Sequence, residues 1–378
     1  MDKLKIPFNK PYLTGKEMHY MYQAIYSGKI SGNGMFTQKC QKFFEEKFGF
    51  RKVLLTTSCT DALEMCAILA DVHPGDEVII PSYTFVSTAL AFVRQGAKIV
   101  FADSNSQNPN LDASRIEELI TPRTKVIVPV HYAGIACDMD PIMELATKYE
   151  LLVVEDAAQA LDSYYKGKSL GSIGHLAAFS FHETKNINSG EGGMIVINDE
   201  RFIRRSEIIW EKGTNRSEFF RGEVNKYGWI DIGSSFLPSE IIAAYLYAQL
   251  ENIDNIQSKR KSIWEAYFQG LETSCNQNNV KLPFIPEYAT NNGHMFYLVC
   301  PDLRTRTSLI EYLKINGIYA VFHYLSLHKS PYYQPIHDGR VLINSDMYTD
   351  QLIRLPMYYE LTMSDVSSII DSIKTFLS

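Results

Sequence analysis

Short apolar runs alternate with helical patterns through the first two-thirds of the chain. Five runs are typical of strands: Lys52–Thr57, Glu77–Ile80, Lys98–Phe101, Lys125–Val130 and Leu151–Glu155. Helix-like spacing of apolar residues lies between them, near Asp61–Ala70, Phe85–Arg94, Ser114–Ile120 and Asp140–Tyr149. Because the strand runs carry few charges and are separated by single helices, they predict a parallel sheet covered by helices on both faces.

The later part of the chain is organised differently. Ala177–Phe181 and Met194–Asn198 are two further strand candidates, whereas Lys212–Gly233 is polar and aperiodic, which predicts a long functional loop. A helical pattern from Ser239 to about Leu271 is long enough to bend, and it leads into a smaller C-terminal α/β domain. The candidate strands there are Met295–Cys300 and Ile318–Phe322, and the candidate helices are Arg306–Asn316 and Ser364–Phe376. We expect a large domain over residues 1–250 and a small one over 251–378.

Composition then narrows the class of protein. Of 378 residues, 46% are hydrophobic and 21% are charged, which is ordinary for a globular protein and excludes wholesale disorder. The net charge of −6 argues against nucleic-acid binding. No apolar run is long enough to span a membrane, and the first residues lack the apolar stretch of a signal peptide. We therefore expect a cytoplasmic protein with no nucleic-acid or membrane partner.

Neither a disulfide framework nor a metal site is indicated. The six cysteines are scattered and form no C-x-x-C pair, which favours reduced thiols. His323, His328 and His337 lie near one another in sequence but lack the spacing of metal ligands. The glycine-rich run Ser189–Gly193 has neither the dinucleotide fingerprint nor the P-loop spacing, so nicotinamide and P-loop enzymes are disfavoured.

Polar residues follow three of the predicted strands, at the edge of the sheet where ligands bind in open parallel folds. Ser58-Cys59-Thr60-Asp61 can cradle an anion at a helix N-terminus or simply cap that helix. Glu155-Asp156 ends a strand, where the carboxylates are either paired with a cation, such as a protonated ring nitrogen, or solvated. Lys185 is either a surface residue or a covalent catalyst with a lowered pKa. Together, the three features suit pyridoxal 5′-phosphate (PLP), which needs an amine, a carboxylate and a phosphate site.

Longer motifs carry a resemblance to a known family. They are Pro81-Ser82-Tyr83-Thr84-Phe85, Val130-His131-Tyr132-Ala133-Gly134, Val154-Glu155-Asp156-Ala157-Ala158-Gln159, Phe179-Ser180-Phe181-His182-Glu183-Thr184-Lys185-Asn186 and Gly190-Glu191-Gly192-Gly193. Over essentially its whole length, the chain resembles the sugar aminotransferases of the DegT/DnrJ/EryC1/StrS family. The resemblance implies the aspartate-aminotransferase fold (PLP fold type I): a large, mixed, mostly parallel sheet with helices on both faces, and a smaller α/β domain.

The resemblance also implies roles for individual residues. Lys185 would bind PLP covalently and then shuttle a proton, while Asp156 would pair with the ring nitrogen and keep it protonated. Gln159 would bind the phenolic oxygen and Phe85 would stack on the ring. Three groups would hold the phosphate, namely Thr60, the backbone N–H of Asp61, and Ser180. Ser235 stands where many relatives have an asparagine that reaches the phosphate of the neighbouring subunit, which implies a homodimer with shared active sites.

The substrates implied are L-glutamate and a keto-sugar nucleotide. Within the family, a closer resemblance implies amino transfer to C4 of dTDP-4-keto-6-deoxy-D-glucose with a galacto product. That resemblance rests on Lys212-Gly213-Thr214-Asn215-Arg216-Ser217, Asp231-Ile232-Gly233-Ser234-Ser235 and Val321-Phe322-His323-Tyr324. Such a sugar would serve a surface glycan, such as lipopolysaccharide O-antigen or enterobacterial common antigen. The gluco epimer and a 3-keto sugar remain alternatives.

Residues for substrate binding are expected in the predicted loop and the C-terminal segment. Candidates for the diphosphate are Arg216, Arg221 and Lys226, with the aromatic neighbours Phe219, Phe220 and Tyr227. His323, Tyr324 and His328 are either substrate contacts or packing residues. Two rival classes are a dehydratase, which has histidine in place of the lysine, and a non-catalytic PLP-fold sensor. Lys185 argues against the first, and its combination with Asp156, Gln159 and Ser180 argues against the second.

Overall fold

The computed structural model describes residues 5–378 and places a seven-stranded sheet at the centre of the molecule. The strands are β1 (Val53–Thr56), β2 (Glu77–Pro81), β3 (Lys98–Ala102), β4 (Thr124–Ile127), β5 (Leu152–Asp156), β6 (Tyr164–Tyr165), β7 (Lys168–Ser169), β8 (Leu176–Ser180), β9 (Gly193–Ile197), β10 (Phe296–Val299), β11 (Val321–Phe322) and β12 (Leu352–Leu355). The α-helices are α1 (Glu17–Tyr26), α2 (Met35–Phe48), α3 (Cys59–Leu69), α4 (Val86–Val93), α5 (Met139–Lys148), α6 (Ile203–Trp210), α7 (Arg216–Phe220), α8 (Glu240–Leu250), α9 (Ile253–Gln277), α10 (Leu303–Ile315), α11 (Ile343–Gln351) and α12 (Met363–Leu377).

The central sheet is mixed and mostly parallel, which confirms the predicted fold class. Its strand order is β1-β9-β8-β5-β4-β2-β3, and only β9 runs against its neighbours, β1 and β8. The connection from β8 to β9 contains no helix. Because a parallel return needs a crossover, usually helical, this connection leaves β9 antiparallel.

Both faces of the sheet are buried. Val53 and Leu55 of β1 pack into a core on one face, and Leu54 packs into a separate core on the other face. Residues of β5 divide in the same way, with Val153 on the first face and Val154 on the second. This explains why the strands are continuous apolar runs, since both sets of alternating side chains lie away from water.

A second, smaller sheet lies in the C-terminal part of the chain. It is antiparallel, with the order β10-β12-β11, and it shares a hydrophobic core with α9, α10 and α12. The predicted bend falls between Leu250, where α8 ends, and Ile253, where α9 begins. Ile256 still packs in the large-sheet core, whereas Ile263 packs in the small-sheet core. The division of the chain at 250/251 stays a prediction.

Several elements differ from the sequence-based expectations. The helix predicted over Ser114–Ile120 is two short 3₁₀ turns, and the predicted loop Lys212–Gly233 contains the short helix α7. The helices α1, α2, α6 and α11 and the strand β12 were not predicted. The helix α2 begins without a side-chain cap of its own. The Glu240 carboxylate of α8 accepts hydrogen bonds from the N–H groups of Gly34, Phe36 and Thr37, so no local start signal marks the helix.

Over residues 5–378, no helix is long and apolar enough to cross a bilayer.

Candidate active site

A cavity of about 480 Å³ opens at the carboxyl ends of the parallel strands. Segments that follow β1, β2, β5 and β8 form one wall, and residues near β10, β11 and β12 form the other. Eight residues predicted from the sequence line it: Thr60, Phe85, Asp156, Gln159, Ser180, Lys185, His323 and Tyr324. The site therefore lies where ligands bind in open α/β sheets.

Lys185 lies in this cavity, on the turn that follows β8. The turn is closed by a hydrogen bond of 2.8 Å from the backbone N–H of Lys185 to the carbonyl of His182. Burial lowers the pKa of the Lys185 amine, the positive charge of Arg354 lowers it further, and the acidic groups of Cys59 and Asp156 partly oppose the change. The amine therefore loses its proton more readily than an exposed lysine, as a nucleophile or general base requires.

Asp156 ends β5 and faces the cavity with 5% of its surface exposed. Its carboxylate accepts hydrogen bonds from Thr88 Oγ1 at 2.7 Å and from the Ala158 N–H at 3.1 Å. Burial raises the pKa of this carboxyl group, although both hydrogen bonds favour the charged form. No cation pairs with Asp156 in the described chain, so the site suits a ligand that brings a positive charge.

The neighbouring acid, Glu155, points away from the cavity and is fully buried. Its oxygens accept hydrogen bonds from the N–H groups of Gly171, Ile173 and Gly174, and they contact His131 Nε2 at 2.9 Å. Burial alone would raise the pKa of Glu155, but His131 and the backbone donors outweigh it, and the pKa is lowered. Of the two adjacent acids, only Asp156 is therefore available to a ligand.

The segment after β1 forms both a helix cap and a polar cradle. Ser58 Oγ accepts a hydrogen bond of 3.1 Å from the Asp61 N–H, which is an ordinary N-cap. Thr60 Oγ1 lies 2.8 Å from Ser87 Oγ, and Ser180 lines the same cavity. A Cβ atom on Gly193 would lie 2.5 Å from backbone atoms of Ser58 and Cys59, so β9 approaches this helix start closely. Hydroxyl groups beside a helix N-terminus are suited to a phosphate.

Gln159 is held in one orientation. Its Oε1 accepts a hydrogen bond of 2.6 Å from the Ala133 N–H, and its Nε2 donates to Tyr324 OH at 3.0 Å. Ala133 has φ of 58°, a left-handed conformation that is uncommon outside glycine. Gln159 lines the cavity, and within the described residues its second amide N–H forms no hydrogen bond, so it can donate to an oxygen of a ligand.

Aromatic groups complete the site. The rings of His323 and Tyr324 stack with centroids 3.5 Å apart, and His323 Nδ1 lies 2.6 Å from Tyr132 OH. Burial lowers the pKa of His323, which favours the neutral ring. Phe85, at the start of α4, remains 54% exposed in the cavity wall, where it can stack on a planar ligand.

Several of the predicted residues do not line this cavity. Arg216 pairs with Glu211, Arg221 pairs with Glu207 and Glu223, and Lys226 and Ser235 are exposed. The Asp61 side chain accepts hydrogen bonds from Thr57 and Ser58, and its N–H is engaged by Ser58. His328 also lies outside, 2.8 Å from Ser82 Oγ. The roles predicted for these residues stay predictions.

The structure adds residues that the sequence reasoning missed. Thr88 holds Asp156, and His294, Phe8 and Arg354 line the cavity. Phe8 and Arg354 come from opposite ends of the chain and lie together, with the guanidinium 4.8 Å from the ring centre. No spacing in the sequence predicts such a pair. Arg354 had one local signal, since it is a charged residue within the apolar run Leu352–Leu355.

The residues present fit PLP. Lys185 supplies the amine, Asp156 a carboxylate that forms no ion pair within residues 5–378, Gln159 a fixed donor, and Thr60 and Ser180 hydroxyls near a helix N-terminus. This set defines a PLP-dependent enzyme.

Comparison with known proteins agrees with the site. A model of the DegT/DnrJ/EryC1/StrS aminotransferase family matches residues 11–374. GDP-perosamine synthase of Caulobacter vibrioides is 33% identical, over 100% of this chain and 99% of its own. The spore coat polysaccharide biosynthesis protein SpsC of Bacillus subtilis is 31% identical, over 98% and 96%. The PLP form of Spr1654 from Streptococcus pneumoniae has a TM-score of 0.89 and 26% identity, with 98% of both chains covered.

The chain belongs to the DegT/DnrJ/EryC1/StrS aminotransferase family. It is a PLP-dependent sugar aminotransferase.

Proposed function

We propose that this enzyme transfers an amino group from L-glutamate to C4 of dTDP-4-keto-6-deoxy-D-glucose and releases dTDP-4-amino-4,6-dideoxy-D-galactose. The observation that carries amino transfer is the placement of Lys185, Asp156 and Gln159 in one cavity. The choice of sugar rests on the resemblance, which is closest to dTDP-4-amino-4,6-dideoxygalactose transaminase over Lys212–Ser217, Asp231–Ser235 and Val321–Tyr324.

The residues divide the chemistry among them. PLP, when bound, supplies an electron sink for the carbon that carries the amine. Lys185 Nζ, whose pKa burial lowers, would take the proton from that carbon and later return it to the sugar carbon. Asp156 keeps the proton on the ring nitrogen, since a buried carboxylate favours a cation beside it. Gln159 Nε2 would donate a hydrogen bond to the phenolic oxygen of the bound cofactor.

The face from which Lys185 delivers its proton sets the configuration of the new amine. The galacto product is proposed, and the gluco epimer is the alternative of the same chemistry. A 3-keto sugar nucleotide is a second alternative. The name of the relative GDP-perosamine synthase refers to a GDP-linked sugar, so the nucleotide also needs a direct test.

We also propose a homodimer with shared active sites. Ser235, Lys226 and Arg221 lie outside the cavity of their own chain, so a phosphate or diphosphate contact requires the cavity of a partner. Trp229, 85% exposed, and Phe220, 68% exposed, belong to the same segment. Large exposed aromatic side chains are typical of protein interfaces.

A half-reaction experiment tests the proposal. The purified protein, loaded with PLP, is expected to show a yellow band that borohydride removes, to be bleached by L-glutamate, and to recover with dTDP-4-keto-6-deoxyglucose. NMR of the product then assigns the amine as axial or equatorial. Recovery only with a GDP-linked or 3-keto sugar would reject the proposed substrate and retain the aminotransferase.

A further inference from the structure

His294 lies two residues before β10 and lines the cavity with 7% of its surface exposed. It also lines a second, much smaller chamber of about 10 Å³. This chamber adjoins the main cavity, since Lys185, Gln159 and Ser180 line both of them. A volume of this size is about what one water molecule needs. His294 therefore borders a space beside Lys185 that suits a single water.

The backbone around His294 is held from several sides. Its N–H donates to Asn292 Oδ1 at 3.0 Å. Arg260 of α9 donates from Nη2 to the carbonyl of His294 at 2.7 Å, and from Nε to the carbonyl of Gly293 at 3.0 Å. A Cβ atom on Gly293 would lie 2.8 Å from the backbone of Arg260, so α9 contacts this segment closely. The imidazole ring therefore has a fixed point of attachment.

A chain of hydrogen bonds determines which nitrogen of the ring carries the proton. Gln257 Nε2 lies 3.1 Å from an oxygen of Asp162, so the side-chain oxygen of Gln257 points the other way. That oxygen accepts a hydrogen bond of 2.8 Å from Asn186 Nδ2, which also donates to the backbone carbonyl of Asn292. The remaining atom, Asn186 Oδ1, can only accept, and it lies 2.9 Å from His294 Nδ1. This network assigns the proton to Nδ1 of His294.

The other ring nitrogen, Nε2, is a bare acceptor. Burial lowers the pKa of His294 well below its ordinary value, and nearby positive charges lower it further, so the ring is neutral. These charges belong to Lys185, Arg260 and Arg354. With the proton on Nδ1, Nε2 keeps its lone pair. Within residues 5–378, neither His294 Nε2 nor Lys185 Nζ forms a hydrogen bond, so an acceptor and a donor border the same chamber.

We propose that His294 Nε2 and Lys185 Nζ hold one water molecule between them whenever the amine is not bonded to the cofactor, and that His294 thereby positions this amine. The proposal rests on the catalytic role proposed for Lys185. A buried water needs two to four polar partners. Here it donates one hydrogen bond to Nε2 and accepts one from an N–H of the amine.

The consequence is a restricted lysine side chain. A lysine amine ends a flexible four-carbon stem and can point in many directions. When one of its N–H groups is bonded to a fixed partner, the lone pair of the neutral amine points away from that partner. Because Lys185 is proposed to move the proton in both half-reactions, His294 should raise the maximal rate of both and leave the affinity for each substrate unchanged.

The kinetic test compares His294→Asn and His294→Phe with a matched control, His175→Phe. Asparagine keeps an N–H for Asn186 but has no atom at the position of Nε2, whereas phenylalanine keeps the ring shape and loses both nitrogens. His175 is also partly buried, has a lowered pKa and accepts one hydrogen bond on Nδ1, but it lines neither cavity. In both His294 variants, the maximal rate of each half-reaction is expected to fall roughly 10-fold, and each substrate affinity to change less than about 3-fold. The control should keep both.

Two measurements without substrate separate positioning from a structural role. They use wild-type enzyme loaded with pyridoxamine phosphate, in which the lysine is free. A high-resolution crystal structure is expected to show a water within hydrogen-bond distance of both His294 Nε2 and Lys185 Nζ. Nitrogen NMR of the histidine rings is expected to show the proton on Nδ1 of His294, with the signal identified by its loss in His294→Phe. No ordered water, or a proton on Nε2, would overturn the proposal. So would rate losses confined to variants with a lowered Tm.

Failure of the proposed function would give a different result. Borohydride reduction of the PLP-loaded enzyme, followed by peptide mapping, identifies the lysine that carries the cofactor. A label on another lysine would refute the role proposed for Lys185. A label on Lys185, together with unchanged half-reaction rates in His294→Asn, would refute only the positioning by His294.

Discussion

Two adjacent acids on β5 differ in role: one is bonded within the protein, and the other faces the cavity. Glu155 and Asp156 point to opposite sides of the sheet, because side chains alternate along a strand. Every oxygen of Glu155 is bonded within the protein, whereas Asp156 keeps a side open to the cavity. Sequence reasoning identified both acids and assigned the ligand role to Asp156 by resemblance. It could not assign Glu155, since its donors lie in a segment 16 to 19 residues further on.

Glu155→Gln is expected to destabilise the fold by about 2–4 kcal/mol. The carboxylate now accepts hydrogen bonds from backbone N–H groups, and the amide NH₂ of glutamine would point at those same donors. The folded-state pKa of Glu155 is lowered from the ordinary value of 4.5, so its stabilisation is present above that pH and is lost as the pH falls through the folded-state pKa. Urea unfolding from pH 7 to pH 3 measures both effects. Glu144→Gln on α5, an exposed position, is the control; an equal loss there would contradict the argument.

Asp156→Asn is expected to have opposite effects on activity and stability. Turnover should fall about 10²- to 10³-fold, since a neutral amide no longer holds the proton on the ring nitrogen. The cofactor-free protein should gain a few degrees in Tm at pH 7. The pKa of Asp156 is raised on folding, so this group stabilises the fold below its unfolded-state value of 3.8 and loses that contribution as the pH rises. Calorimetry of the cofactor-free variants checks this; a lower Tm at pH 7 would show that Asp156 is structural.

At the scale of elements, β9 and α3 meet beside the proposed phosphate cradle. Gly193 begins β9 and leaves no room for a side chain against the start of α3. The sequence motif Gly190-Glu191-Gly192-Gly193 was recognised through the resemblance. The reason for a glycine at 193 is visible only in the sheet, where β9 lies between β1 and β8. An insertion of this kind depends on contacts between distant segments, and local patterning carries no information about it.

Gly193→Ala is expected to weaken PLP binding at least about 10-fold and to lower stability by about 1–3 kcal/mol, because the new Cβ would displace the backbone of Ser58 and Cys59. Spectroscopic titration of the cofactor-free protein with PLP measures the affinity. The control is Gly228→Ala, where a Cβ meets no atom within 4 Å. Unchanged PLP affinity in Gly193→Ala would mean that the start of α3 does not shape the phosphate site.

The elements that sequence reasoning missed have a common cause. Patterns of apolar residues predicted the parallel strands and most of the helices between them, because those elements are buried on one or both faces. The helix α11 has no apolar stripe, and β12 is a short strand with Arg354 in its centre. The positions of both elements depend on the residues that they pack against, just as the start of α2 depends on its hydrogen bonds to Glu240.

At the scale of the whole molecule, the proposed dimer makes a prediction about mixtures of inactive subunits. Lys185→Ala removes the amine from its own site, and Ser235→Trp is expected to block the site of the partner while leaving its own fold intact, since Ser235 is exposed. Each homodimer should be inactive. After mixing and reassembly, about a quarter of wild-type activity should return, because half of the dimers are mixed and each has one complete site.

The control is a mixture of Lys185→Ala with Asp156→Asn, two residues that line the same cavity within one chain. The mixed dimers of this pair have no complete site, so activity should stay at the level of the separate variants. Full activity of Ser235→Trp on its own would contradict the proposed contact with the partner subunit.

Phe8 and Arg354 give the site a consequence for its assembly during synthesis. The two side chains are separated by nearly the whole chain, and Ile6 already packs in the core of the small sheet. At a translation rate of roughly 5–20 residues per second, about 20–70 seconds pass between the synthesis of Phe8 and the synthesis of Arg354. The large sheet can begin to form in that interval, but this wall of the cavity can close only when the last residues have been made. A nascent chain, or one that ends before Arg354, therefore lacks a complete site. Only full-length chains are expected to carry out amino transfer.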